Sequence, residues 1–458
     1  MTKPSNSNID LALTFQSPVT SESSIVFSDY TYTKGSKDAT DIDIARANGC
    51  GRFSGEENMY VTRPLSMYIK SPDALSLPPP EGPSSGILVI LDEEAEPTRC
   101  FGLCKTGYIK DLPFPQNKSL EHRYTTGIGF ERDFHFQKVV FIPVLDQPLS
   151  SNRYYAIQPY GKHRGEAYTN SEEEEMPTCC FGGYVCDVTP RPLDPTNLNQ
   201  QFMICRKGGI VNNWGGFVAK SLAPDGFPPF FLGVKGWKVC AEASPEFELG
   251  EAQGLDTTLR ARLPEFNFSL SNTSSNPVVV GKWYCPFMFI KEGTPKSLKD
   301  EMSNLIYYEI TLQQRWEQIF ASENNNSQTQ GNSVAVDALV KIEVVRVAGR
   351  EAVIDERNVA NGVLWFRSCS NVGEEASVAL GLAVIERMKW EQERVGWIGE
   401  TYGKQMRIER LEGFGGTGGW KRFGCYVLVE SFVLKRLDGS LLLTYDFKHT
   451  HQIRSKWE

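Results

Sequence analysis

Two histidines stand one residue apart near the C-terminus, in Tyr445-Asp446-Phe447-Lys448-His449-Thr450-His451. On an extended strand they share a face about 7 Å apart. That spacing suits a metal ion if a neighbouring strand supplies a third ligand. The competing reading is two partly buried rings in an aromatic face. The cysteines form a second candidate set. Cys100 and Cys104 are close in sequence, as are Cys179, Cys180 and Cys186. Cys100, Cys104, Cys180 and Cys186 would offer four thiolates to zinc if the two segments met, although neither has the CxxC spacing of zinc knuckles. S-acylation of Cys179-Cys180 and buried neutral thiols are the alternatives. Zinc is the one cofactor these residues suggest, and no catalytic or cofactor-binding residue is assigned.

The loop Gly413-Phe414-Gly415-Gly416-Thr417-Gly418-Gly419 contains GxGxxG. A dinucleotide site needs that motif between a strand and a helix. Here Trp420 leads into a strand, so a strand-to-strand loop is expected. GxSxG, HExxH, HRD and DFG are missing. The acidic run Glu172 to Glu175 reads as a solvated loop, since adjacent carboxylates alternate in direction and do not converge on one ion.

The elements that must carry these residues are mainly strands. From Leu441 the odd positions Leu441, Leu443, Tyr445, Phe447, His449, His451 and Ile453 alternate with mostly polar ones, the mark of a half-buried strand. Phe423 to Leu437 is apolar on both faces. Asp438-Gly439 between them predicts a hairpin with a two-residue turn. Val334 to Val344 alternates, Val363 to Phe366 is a strand, and Ala376 to Val384 is read as a strand that can turn helical near Glu386 to Arg394. In the N-terminal half, Pro97-Thr98-Arg99-Cys100-Phe101-Gly102 recurs as Pro177-Thr178-Cys179-Cys180-Phe181-Gly182; seven of 21 aligned positions are identical. Repeated β units are therefore expected, the two copies following the strand-like runs Ile87 to Ile90 and Tyr154 to Ile157, with Gly216 to Ala219 and Gly281 to Tyr284 opening further degenerate copies. Leu298, Met302, Leu305, Leu312, Trp316 and Ile319 follow helical spacing behind Thr294 and Pro295, which predicts one long helix near 295–320.

The expected fold is mainly β (α+β): a disordered tail over 1–57, a β-rich repeat domain over 58–293, a helix over 294–321, a polar linker over 322–333 and an antiparallel β domain over 334–458. The chain has 458 residues, 40% hydrophobic, with a formal charge of −8. No basic stripe is present, which disfavours nucleic acid. No apolar run reaches the roughly 20 residues of a membrane span, and no secretory signal is recognisable at the start. Eleven cysteines without an export signal point to reduced thiols in the cytoplasm. The expected partner is a protein or small ligand, with peripheral membrane contact less favoured.

Several stretches carry a resemblance. They include MYVTRPLSMYIKSPDALSLPPPEGP, TRCFGLCKTGYIKDLPFPQN, PLSSNRYYAIQPYGKHRGEA, GGFVAKSLAPDGFPP, VVVGKWYCPFMF and TYDFKHTHQIRSKWE. From about residue 59 to the end the chain resembles a plant-specific family of uncharacterised proteins known only as a domain of unknown function. The resemblance implies a land-plant source and a stress or defence association, and it brings no activity, cofactor or catalytic residue. Together the residues favour a non-catalytic, β-rich binding or scaffold protein of the plant cytosol. An enzyme, a hydrolase or a thiol-dependent one, with an unrecognised site is the alternative.

Overall fold

The computed structural model describes the chain from Met59 to Glu458 apart from residues 77–81, 83–84, 96, 117, 128–131, 146, 173–186, 209–214, 243–248, 250–252, 294–305, 325–331, 361, 370–374 and 400–404. Strands dominate, and the hairpin at the C-terminus joins two of the three longest described strands. Strands Arg422–Arg436 and Leu441–Trp457 run antiparallel. Gly439 has φ +86°, and Asp438 Oδ1 accepts from Ser440 N at 2.8 Å. Arg436 N bonds Ser440 O at 3.0 Å, so the turn has three residues with glycine alone left-handed, not the two-residue turn expected.

Strand Arg422–Arg436 pairs on its other side with Tyr307–Glu323. The helix expected near 295–320 is thus a central strand from residue 307; residues 294–305 lie outside the described part. Leu312 and Trp316 are four apart, a spacing that fits both a helix face and one face of a strand. The alternation Tyr308, Ile310, Leu312, Gln314, Trp316 is buried throughout, and Gln314 is the polar member that obscured it. The sheet continues through Val278–Pro286 to Met59–Pro64 and Ser85–Ile90, and on the other side through Glu343–Val347 to Arg350–Glu351; Gly254–Leu255 pairs beside Val278–Pro286. All its neighbours are antiparallel except Met59–Pro64 with Ser85–Ile90. Strands from both sides of the 322–333 segment, where a domain boundary was expected, pair in this one sheet, and Phe53–Glu458 forms one compact unit.

A second sheet of seven strands runs Phe217–Ser221, Gln201–Arg206, Arg153–Ile157, Asp133–Pro143, Ser119–Thr126, Lys238–Glu242, Tyr108–Ile109. Phe217 N bonds Trp237 O at 2.7 Å, which brings the first edge back to the sixth strand and curls the sheet into a barrel. Phe114 fills it, with ring centroids 5.0 Å from Phe141, 5.1 Å from Phe217 and 5.3 Å from Tyr154. The runs expected to precede or open repeat copies fall in different sheets: Ile87 and Gly281 in the long sheet, Tyr154 and Gly216 to Ala219 at the barrel. The first ten residues of the second copy, 177–186, lie outside the described residues.

Strand Ser333–Lys341 pairs with Gln405–Gly413 and buries every second residue, Val334, Val336, Ala338 and Val340. These cover the far ends of the long strands at Ile319, Phe320, Phe423 and Ile453. The alternating segment at 376–384 divides: Glu375–Gly381 is a strand and Leu382–Glu393 a helix. The glycine-rich stretch links strands ending at Gly413 and starting at Arg422, as expected.

A Cβ at Gly216 would lie 2.2 Å from the Gly236 carbonyl oxygen. Gly216→Ala is therefore expected to cost about 1–3 kcal/mol by crowding the closure of the barrel. A lower urea midpoint with an unchanged m value is the expected result; an unchanged midpoint would show that the edges do not close there.

Candidate functional site

The best-built polar site lies on one face of the long sheet. The register sets Gln314 opposite Glu430 and His449 opposite Leu428. Residues 428 and 430 share a face because side chains alternate, so Gln314, Glu430 and His449 come together. All three are 1–2% exposed. A charge in this position needs partners, because an isolated buried ion is prohibitively costly.

Two short elements supply them. Helix Thr257–Arg262 starts where the Asp256 Oδ1 accepts from Leu259 N at 2.8 Å, and it aims Arg260 at the sheet. Arg260 Nε donates to Glu430 Oε1 at 3.0 Å and Nη2 to Oε2 at 2.5 Å, a bidentate pair. Its Nη1 donates to Glu391 Oε2 at 3.0 Å and its Nη2 also to the Glu391 carbonyl at 2.9 Å. Glu391 comes from helix Leu382–Glu393 and also meets Arg387 at 2.9 Å and Arg394 at 3.6 Å. Gln314 Nε2 donates to Glu430 Oε1 at 2.8 Å and to the Arg260 carbonyl at 3.0 Å. Burial works against the Glu430 carboxylate, yet Arg260, His449 and Gln314 hold it below its ordinary range.

His449 Nε2 lies 2.8 Å from Gln392 Oε1 and 4.0 Å from Glu430 Oε2. Burial, against the pull of Glu430, pushes its pKa down to about 4, so the ring is neutral at pH 7. His451 follows a break in register between Val427 and Leu428, and it is exposed. The two rings meet at 5.4 Å between centroids and 75°. Above this floor opens a cavity of about 350 Å³, walled by Leu255, Ala261, Leu263, Leu428, Arg394 and His451 among others.

The opposite face of the same strands holds a second buried network. Asp446, 1% exposed, accepts from Ser431 Oγ at 2.5 Å and Arg315 Nη2 at 3.0 Å, and pairs with Arg346. Burial raises its carboxyl, but Arg315, Ser431 and Arg346 bring it below the usual carboxylate range. Asp446 stood on the polar side of the sequence alternation; its partners explain why it is buried.

The histidine pair expected from sequence is thus brought together at the rim and floor of one cavity. Among the described residues no group of three or more His, Cys, Asp and Glu side chains could hold a metal. Cys100 and Cys104 are exposed free thiols on the hairpin Thr98–Arg99 with Cys104–Lys105; Cys179, Cys180 and Cys186 lie outside the described residues. Glu172 at the head of the acidic run accepts from Asn199 Nδ2 at 2.5 Å, and 173–175 also lie outside. Sequence reasoning missed Arg260, Gln314, Glu391 and Glu430. Glu430 alone left a signal, as the single ionisable carboxylate in the apolar run Phe423 to Leu434.

Residues 81–181 match a family described as a protein of unknown function, DUF1262. They span strand Ser85–Ile90, the Cys100–Cys104 hairpin and the barrel strands through Arg153–Ile157. A search of curated proteins finds no match to the chain. Among solved structures the chain is similar to the crystal structure of Cry35Ab1, at 11% identity and a TM-score of 0.39, over 75% of this chain and 90% of that one.

Two buried histidines set an acid-sensitive window. His449 falls to about 4 and His122, in the barrel core, to about 3, both chiefly by burial. The unfolded chain takes up protons below about 6.5 while the folded one does not, so stability falls as pH drops through that value, by about 1.4 kcal/mol per unit for each ring. Glu430 and Asp446 act only lower, since their pKa values are depressed. His122→Phe keeps a ring among Trp237, Phe231 and Tyr124. It is expected to reduce by about half the slope of urea-derived stability between pH 6.5 and 4.5; an unchanged slope would place the proton uptake elsewhere. Thiol labelling gives a second check. Cys100 and Cys104 should react in the folded protein, while Cys240, Cys285 and Cys425 stay protected until it unfolds.

Proposed function

We propose that this is a non-catalytic, β-rich binding protein of the plant cytosol, associated with stress or defence, which takes a small ligand in the central cavity. The observation that carries the reading is the floor of that cavity. Arg260, Glu430, Glu391 and Gln314 are committed to one another. A carboxylate held ionised by two guanidinium hydrogen bonds is a weak base and no proton donor. Such a floor is rigid and pre-organised, which favours binding, while the walls of Leu255, Leu263 and Leu428 supply apolar contact. The land-plant source and the stress association follow from the family resemblance. A reducing compartment suits the exposed free thiols of Cys100 and Cys104.

The test is incubation of the protein with a mixture of small metabolites, followed by native mass spectrometry for complexes and chromatography for chemical change. Ligands should be recovered unchanged, and their complexes should be lost in Ala261→Phe, which fills the cavity. A compound converted by the wild type and left intact by His449→Gln would contradict the reading and make the cavity an active site.

A further inference from the structure

A second cavity, of about 280 Å³, lies where the barrel edges meet. Its walls carry Arg99, Lys110, Arg206 and Lys238 against one carboxylate, Asp111, in a chain whose net charge is −8. Asp111 answers Arg206 at 2.5 Å. Lys110 has no hydrogen bond or ion pair among the described residues. The Tyr108 ring has Arg99 and Lys238 each 5.9 Å and Arg123 5.8 Å from its centroid, Arg123 being paired with Glu121. Like charges gathered this closely repel one another. A concentration of positive charge in a small concave space is what an anion with several negative oxygens would offset.

A second feature adjoins it. Arg99 is also the last residue of the strand Thr98–Arg99, and the hairpin tip begins at the next residue. Phe101 is 108% exposed and Leu103 86%, so two large apolar side chains project wholly into solvent beside the basic cavity. The backbone holds them there at a cost, since Cys100 and Phe101 have φ +53° and +57°, a region unfavourable for residues with a Cβ. Gly102 N to Arg99 O and Leu103 N to Cys100 O, both 3.2 Å, fix the tip. An apolar prong next to a phosphate-sized basic recess fits one surface: the headgroup and upper acyl region of an anionic lipid layer.

We infer that this end of the barrel docks on membranes rich in phosphate-monoester lipid, with the headgroup in the Tyr108 cavity and Phe101 and Leu103 in the interface. The site is separate from the central cavity, so its failure would leave that reading untouched.

Sedimentation with vesicles tests it. The full chain should pellet with phosphatidylcholine vesicles containing phosphatidic acid, stay in solution with phosphatidylcholine alone, and be released by salt. Lys110→Glu and the double variant F101S/L103S should each weaken vesicle binding about tenfold or more, and Asp111→Asn should strengthen it. All four positions are exposed, so the variants should keep the wild-type circular dichroism. Pyrophosphate should compete with the vesicles. The inference is overturned if the wild type ignores phosphatidic acid vesicles, if the two weakening variants bind them as the wild type does, or if pyrophosphate binds in calorimetry while vesicles do not.

Discussion

The interaction on which the rest depends is the buried pair of Arg260 and Glu430. Taking an arginine and two glutamates out of water costs several kcal/mol for each ion. The cost is met only if the charged groups find their partners in the right place. Three separate parts of the chain must therefore agree. The register of the central strands must set Gln314 beside Glu430. The Asp256 cap must start its helix where Arg260 reaches the sheet. The 382–393 helix must present Glu391 and Gln392 together. A shift of one residue in the Arg422–Arg436 strand would turn Glu430 to the other face, where Arg315 and Asp446 already form a network of their own. The two networks, back to back, leave the longest strands a single register in which their charges are paired.

This constraint also explains what the sequence shows and what it hides. The C-terminal hairpin is legible because Asp438-Gly439 and the alternation from Leu441 are local signals. So is the Ser333–Lys341 strand, whose alternate valines need only one apolar surface to cover. The strand at 307–323 is hidden by the site itself. Gln314 interrupts the apolar face at the place where it bonds Glu430 and Arg260, and the remaining apolar residues, spaced by four, satisfy a helix equally well. The pairing of Arg260 with partners 131 and 170 residues away has no local trace. His449 and His451 were legible as neighbours on a strand. Their different surroundings, one neutral ring in the core and one at the rim, arise from the register break at Val427 and Leu428.

The barrel and the long sheet use their polar residues in opposite ways. At the centre of the long sheet, charges are matched and closed on one another, which gives a rigid floor beneath a half-apolar cavity. At the barrel edge, cations outnumber their carboxylate and stand beside exposed aromatic and aliphatic side chains. The first arrangement favours stability and pre-organisation. Within a β-rich fold that includes a domain of unknown function over residues 81–181, this division separates the part that holds the molecule in register from the part proposed to meet a membrane.

The most direct test is a double-mutant cycle of Arg260→Met and Glu430→Gln, followed by urea denaturation at pH 7. If the pair holds the central strands in register, Arg260→Met alone should cost about 3–5 kcal/mol, because it leaves the buried Glu430 carboxylate without its guanidinium partner. The double variant should then lose clearly less than the sum of the two single changes, with a coupling of about 2 kcal/mol or more. Single losses below about 1 kcal/mol that simply add would contradict the account. They would mean that the buried charges are solvated, and that the cavity floor is neither closed nor rigid.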